Sequence, residues 1–481
     1  LHRKGCLFAF LFAKKGQIYG GLMSDFETDV SANSEGGFDP RRISLVRQAL
    51  GQGDAGQLTT LLDPLHAADI ADIIEQLSSF DRRKLIDVWY GEIDGDILSE
   101  IDESIREEVI GYLPRHILTD AVRELDTDDV VDILEDLEEP QQAIILGALT
   151  DADRAAVEQA LAFPDYSAGR LMQREVVVAP LHWTVGETID FLRNADHLPD
   201  QFYHVILVDP RMKPQGYVSL GRLLAAARAT QLRALAEDSY RTVRGATPEA
   251  DVAYLFTQYH LISCPVVDAD DRLVGVITID DAMNVLDEEH EEDMLLLAGV
   301  GEESSISDGV FETVRQRFPW LFVNLLAANL SALVIAQFQS TIAVFLALAA
   351  LLPIVASMGG NAGTQSLTVA VRALATRDLT ATNAMRVVRR EAAVGLINGM
   401  GFALMMALVG WYFYDSLALG GVIAVAMVVN LLIAALAGVL VPLIFVRFGM
   451  DPAVSSGTFV TTLTDLFGFF TFLGLASLVL M

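Results

Sequence analysis

Cysteine and lysine are scarce in this 481-residue chain, which holds two Cys and only Lys4, Lys14, Lys15, Lys84 and Lys213. Cys6 and Cys264 lie far apart, so each reads as a lone thiol. That excludes a thiolate metal cluster and fits a reducing compartment for the soluble part. None of the lysines follows a glycine, so the phosphate-cradling Walker A pattern is missing. Beyond Phe318 there is neither His nor Cys, which removes the preferred ligands of soft and borderline metals. No nucleophile–base constellation can be assembled from the motifs, so an enzyme is not expected.

Basic charge is also short. The formal net charge is −31, although 52% of the residues are hydrophobic. The two facts separate along the chain. Residues 318–481 carry six Arg (372, 377, 386, 389, 390, 447) against Asp378, Glu391, Asp415, Asp451 and Asp465. Nearly all the acid therefore lies before Phe318, in a soluble part whose carboxylates repel nucleic acid and attract cations.

The N-terminal stretch holds a short apolar run, Cys6–Ala13, flanked by Arg3, Lys4, Lys14 and Lys15. It is too short to span a bilayer and lacks a clear small-residue cleavage site. Residues 1–43 are read as a tail, with a start-site artefact and a targeting segment both open. Residues 44–165 read as helix after helix, with apolar residues at helical spacing in Asp69–Leu77, Glu107–Leu113 and Asp129–Leu137. Asp or Thr before such runs supplies N-caps, and the succession predicts a solenoid-like acidic helical domain.

Residues 166–235 and 236–286 repeat one αβ pattern. Strands are expected at Glu175–Val178 and His204–Val208, then more sharply at Cys264–Asp268 and Leu273–Thr278, with Asp280 and Asp281 opening a helix. Residues 287–317 begin with Asp287-Glu288-Glu289-His290-Glu291-Glu292-Asp293, a helix that is either a solvated face or an ion-binding one.

Phe318–Val371 contains no charged residue and is long enough for two membrane crossings, broken near Gln337–Ser340. Further apolar runs at Ala392–Tyr414, Leu417–Val446 and Ala453–Met481 bring residues 318–481 to five helices. Arg315, Arg317, the Arg372–Arg390 loop and Arg447 fall at one end, while the opposite loops near Gln339 and Asp415 have no Lys or Arg. The positive-inside rule puts the acidic half in the cytoplasm and the C-terminus outside.

Asp465 lies well inside the last of these helices. A carboxylate there costs roughly 2.5–3.5 kcal/mol on insertion scales and needs a partner or a purpose. With no basic residue deep in the five helices, an ion-binding carboxylate is the favoured reading, and oxygen ligands suit a hard, hydrated cation such as Mg²⁺. Pro353–Ser366 carries paired glycines and Asn361. These either break the helix and bare carbonyls to a pore, or serve close helix packing.

Met358-Gly359-Gly360-Asn361-Ala362-Gly363-Thr364-Gln365, Arg372–Ala375, Asp451-Pro452-Ala453, Thr461–Gly468 and Pro164–Met172 together resemble the MgtE magnesium channels, in unbroken order over residues 44–481. The resemblance implies a helical N-domain, tandem CBS domains (modules that often bind adenine nucleotides such as ATP, or ions), a connecting plug helix and a five-helix transmembrane pore. It implies a homodimer in the cell membrane that takes up Mg²⁺ and is gated by cytoplasmic Mg²⁺. Asp465 would be the pore carboxylate. Ser357, Gly360 and Thr461 would line the hydrated ion's site, and Asp451 would stand on the cytoplasmic face. Asp281, Glu289, Glu292 and Asp293 would hold regulatory Mg²⁺, with Asp128 and Asp132 facing the plug. His260 and Asn284 stand where the family tends to have acids, which weakens some sensor sites. A CBS-regulated carrier of another ion and a non-transporting magnesium sensor are the alternatives.

Overall fold

The computed structural model describes residues 40–481 except 136, 138, 196, 197, 200, 238, 239, 302, 303, 305–308 and 455. The expectations for the N-terminal tail lie outside the described residues. The described residues form two compact units, those up to 165 with 169–176, and 166–168 with those from 177 onward.

The first unit is all helix among its described residues. It runs from α1 (Pro40–Gln52) through α2 (Ala55–Leu62), α3 (Ala67–Glu75), α4 (Ser79–Trp89), α5 (Gly95–Ser99), α6 (Glu103–Tyr112), α7 (Arg115–Val122), α8 (Thr127–Glu135) and α9 (Glu139–Ala148) to α10 (Asp151–Ala160). Asp54, Asp94, Asp102 and Thr150 accept hydrogen bonds from free N–H groups at helix starts, as the sequence predicts, and Ser78 does the same, whereas the helix of the Asp69–Leu77 run is capped by His66. One continuous core joins the helices, with Leu50, Leu58, Ile74, Leu85, Leu98 and Ile133 essentially fully buried. Two buried arginines stitch successive turns. Arg82 donates to the carbonyls of Ile74 and Leu77 and pairs with Glu108. Arg106 repeats this one unit later, donating to Ile101 O and pairing with Asp132 at 2.7 Å.

The second unit opens with twin three-stranded sheets. β1 (Val178–Pro180) runs parallel to β2 (His204–Val208), which pairs antiparallel with β3 (Pro214–Ser219). After α11 (Val185–Asn194), between β1 and β2, and α12 (Leu220–Ala225), the pattern recurs. β4 (Val243–Arg244) lies parallel to β5 (Ser263–Val267), and β5 antiparallel to β6 (Leu273–Thr278), with α13 (Glu249–Tyr259) between β4 and β5. The hairpin turns match in detail. Asp209 accepts from the backbone of Arg211 and Lys213, and Asp268 from that of Asp270 and Arg272, all between 2.8 and 2.9 Å. The strand expected from Glu175 starts instead at Val178. Glu175 is turned the other way, its carboxylate accepting from Thr127 Oγ1 at 2.7 Å and from Arg174 N.

The rest of the unit is helical: α14 (Ile279–Ala298), α15 (Val310–Gln337), α16 (Gln339–Val344), α17 (Ala347–Ala375), α18 (Ala384–Tyr414), α19 (Leu417–Arg447) and α20 (Ser456–Leu480). The acidic run is thus the middle of α14, which continues directly from the second sheet. It closes at Gly299, whose φ of +75° admits the left-handed turn that lets Gly299 N and Val300 N reach back to Leu296 O and Leu295 O. α15, α17, α18, α19 and α20 are long and apolar enough to cross a membrane. α19 is the central one, with 61% of its most apolar window buried against 6% for α15. Glycines let α18 ride close on it: a Cβ at Gly399 would fall 2.9 Å from Val428 Cα, and one at Gly410 would fall 2.6 Å from Gly420 Cα.

Candidate metal-ion path and sensor helix

α17 carries the glycine-rich motif and does not break. It is one helix through Gly359 and Gly360, although Pro353 removes the N–H that Ala349 O would have received. Of the two readings left open for the glycine pair, close helix packing is the one this helix shows. A Cβ at Gly359 would fall 2.5 Å from Asn430 Nδ2, and one at Gly363 would fall 2.6 Å from Val460 Cγ1, so these glycines are spent on close approach to α19 and α20.

The opposite face of α17 is polar. Ser357, Asn361, Thr364 and Thr368 follow at helical spacing, all exposed, and are tied along the helix. Thr364 Oγ1 donates to Gly360 O and Thr368 Oγ1 to Thr364 O, each at 3.0 Å. On α20, Thr458, Thr461, Thr462 and Asp465 form a second half-buried polar stripe. Thr461 Oγ1 donates to Gly457 O at 2.8 Å, and Thr461 O accepts from Thr464 Oγ1 at 2.8 Å. Gly360 joins the stripes, since a Cβ there would meet only Thr461 Cγ2, at 3.6 Å. Thr458 Oγ1 also bonds Asn324 Oδ1 on α15 at 3.0 Å. Hydroxyls, carbonyls and one carboxylate in apolar helices are oxygen donors suited to a hydrated divalent cation. Asn324, Thr364, Thr368, Thr458 and Thr462 were not among the expected site residues, and Asn361 was singled out only with the glycine pair, though the i, i+4, i+7, i+11 spacing of Ser357, Asn361, Thr364 and Thr368 is a readable signal.

Among the expected sensor acids, Glu289 and Asp293 come into electrostatic range of Asp451. Burial, then the Asp451 charge, raises the Glu289 carboxyl above the usual range. Burial, then Asp451 and Glu289, pushes Asp293 up to about 6. Asp451 itself accepts from Ala453 N and Val454 N in the turn before α20. Just beyond the acids, Leu296 packs with Leu367, Val441, Ala453 and Val460 at the ends of α17, α19 and α20. Asp281, with Thr278, forms the capping box that starts α14. Asp128 and Asp132 belong to the helical unit, where Asp132 neutralises Arg106 and Asp128 Oδ1 accepts from Asp129 N. Among the described residues, no three of His, Cys, Asp or Glu gather closely enough to hold a metal ion by themselves.

The chain is similar to known proteins over most of its length. Residues 352–475 match the model of a divalent cation transporter, 65–166 that of the MgtE intracellular N domain, and 233–288 that of a CBS domain. The magnesium transporter MgtE of Thermus thermophilus is 32% identical over 441 residues, covering 90% of this chain and 98% of that protein. That of Bacillus subtilis is 25% identical, over 89% of this chain and 95% of its own. The solved cytosolic domain of the Mg²⁺ channel MgtE in complex with ATP is 28% identical, covering 50% of this chain and 99% of that one, with a TM-score of 0.47. By a helical domain, a CBS module and five apolar helices aligned end to end with such a relative, the chain belongs to the MgtE family of magnesium transporters.

Proposed function

We propose that Mg²⁺ crosses the membrane along the joined polar stripes of α17 and α20, with Asp465 as the carboxylate that attracts it and Ser357, Gly360 and Thr461 facing its water shell. The observation that carries this is the continuity of those stripes at Gly360 and Thr461 inside otherwise apolar helices. A sensor that transports nothing would have no use for them. The membrane potential drives entry at about 2.3 kcal/mol per charge per 100 mV, doubled for a divalent ion. Two copies of the chain, related by a twofold axis, would bring two Asp465 carboxylates to one path, and the arginines at one end of the bundle orient it with the acidic half in the cytoplasm.

Gating follows from α14. Its acids Glu289, Glu292 and Asp293 share one helical face, and two of them press on Asp451. Cytoplasmic Mg²⁺ would relieve that repulsion and seat the helix end beneath α17 and α20, closing the path. Mg²⁺ keeps much of its water, and the ion would act on these acids through that shell. The transport reading is tested by Asp465→Asn, which keeps the volume and removes the charge. Mg²⁺ influx into liposomes should be abolished while the protein remains assembled, and near-normal influx would remove Asp465 from the path.

A further inference from the structure

Asn430 sits at the middle of α19, completely buried. Its Nδ2 donates to Val355 O of α17 at 2.8 Å, across a sequence gap of 75 residues. Its Oδ1 has no hydrogen-bond partner. Two glycines have given up side chains to admit it. A Cβ at Gly359 of α17 would fall 2.5 Å from Nδ2, and one at Gly468 of α20 would fall 2.8 Å from Oδ1. One side chain on the central helix is therefore wedged between the two helices that carry the polar stripes.

The positions it grips are those next to the path. Val355 precedes Ser357 by two residues, Gly359 adjoins Gly360, and Gly468 is one turn beyond Asp465. A buried acceptor without a partner is a cost that an apolar residue would not carry. What the amide adds is direction, because its single strong bond fixes α17 in both rotation and height against α19. Apolar packing resists separation but tolerates sliding, whereas a hydrogen bond to one carbonyl does not. Gly468, on the Oδ1 side, offers that oxygen only a weak Cα–H donor.

We propose that Asn430 is a positioning residue for Mg²⁺ permeation: it holds Ser357 and Gly360 of α17 at a fixed spacing from Thr461 and Asp465 of α20, and so sets how the site accepts the hydrated ion. The proposal rests on the α17–α20 path being the route of Mg²⁺. Asn430 itself does not touch the ion.

The experiment uses the full chain in liposomes and records Mg²⁺ influx against Mg²⁺ concentration, with Ca²⁺ as competitor, for the wild type, Asn430→Ala, Asn430→Ser and Asp465→Asn. Loss of one hydrogen bond of this kind corresponds to about a tenfold factor. Asn430→Ala should therefore raise the half-saturating Mg²⁺ concentration roughly tenfold and weaken exclusion of Ca²⁺, with a much smaller change in maximal influx. Asn430→Ser, too short to reach Val355 O, should do the same. A purely structural role would lower the amount of assembled protein or its thermal midpoint without moving half-saturation or Ca²⁺ exclusion, and that result overturns the proposal. So does a failure of both variants to assemble, which would make Asn430 a folding residue only. If Asp465→Asn conducts normally, the path reading itself has failed; if Asp465→Asn is dead and folded Asn430→Ala is unchanged, only the positioning role has.

Discussion

Arg106 shows how much a single residue does in the acidic unit. Its side chain is only 5% exposed, and its guanidinium serves Ile101 O, Ser99 O and the Asp132 carboxylate together. Replacing it with Ala strands the buried Ile101 carbonyl and removes the partners of Ser99 O and the half-exposed Asp132. Arg106→Ala should lower the opening free energy of α6 and α8, read by hydrogen exchange, by about 1–3 kcal/mol. Unchanged protection there would show the clasp to be ornamental. Arg82 and Arg106, each followed by its acid 26 residues on, also mark a repeat in the sequence, which the loose apolar pattern alone left vague. Roles were less legible than positions. Asp281 caps a helix and Asp132 pairs with an arginine, partnerships the sequence does not announce, because an acid at a helix start or 26 residues from an arginine looks alike in one dimension.

At the scale of elements, α14 is the one whose behaviour depends on solution conditions. Asp293 is pushed up to about 6, and the cause is burial beside Asp451 and Glu289. A raised carboxyl pKa means that the seated helix takes up a proton as pH falls from about 6 toward the ordinary carboxylate range, so acidification favours seating, and ionisation above about 6 opposes it. On the gating proposed above, Mg²⁺ and protons would relieve the same repulsion. Hydrogen exchange over residues 287–297, corrected for its intrinsic pH dependence, should slow strongly with millimolar Mg²⁺ near pH 8 and hardly at all near pH 5, where the helix is already seated. Neutralising Glu289, Glu292 and Asp293 to Gln, Gln and Asn should give a Mg²⁺-insensitive, closed-biased transporter. A triple variant with wild-type inhibition by Mg²⁺ would reduce the cluster to a solvated face. The sequence located this helix because six acids in seven residues followed by Met294–Leu297 change character sharply. It could not tell that α17 stays whole, since glycines read alike whether they break a helix or let another approach it.

For the whole molecule, the five apolar helices, the repeated sheets and the helical acidic unit were legible because hydropathy and period are averaged over many residues. Asn430 was not, because an isolated Asn in an apolar run carries no sign of which helices it will bridge. The account's central claim is that the exposed polar face of α17 borders a water-filled route for Mg²⁺. The chain suits a cysteine test: Cys264 is buried with its thiol pushed up to about 12, so only Cys6 need be replaced. Thr364→Cys on the polar stripe and Leu404→Cys on the exposed apolar face of α18 can then be exposed to a membrane-impermeant cationic thiol reagent. The account predicts that Thr364→Cys is labelled, that Mg²⁺ slows its labelling, and that Leu404→Cys is inert. An unreactive Thr364→Cys, or labelling indifferent to Mg²⁺, would contradict it.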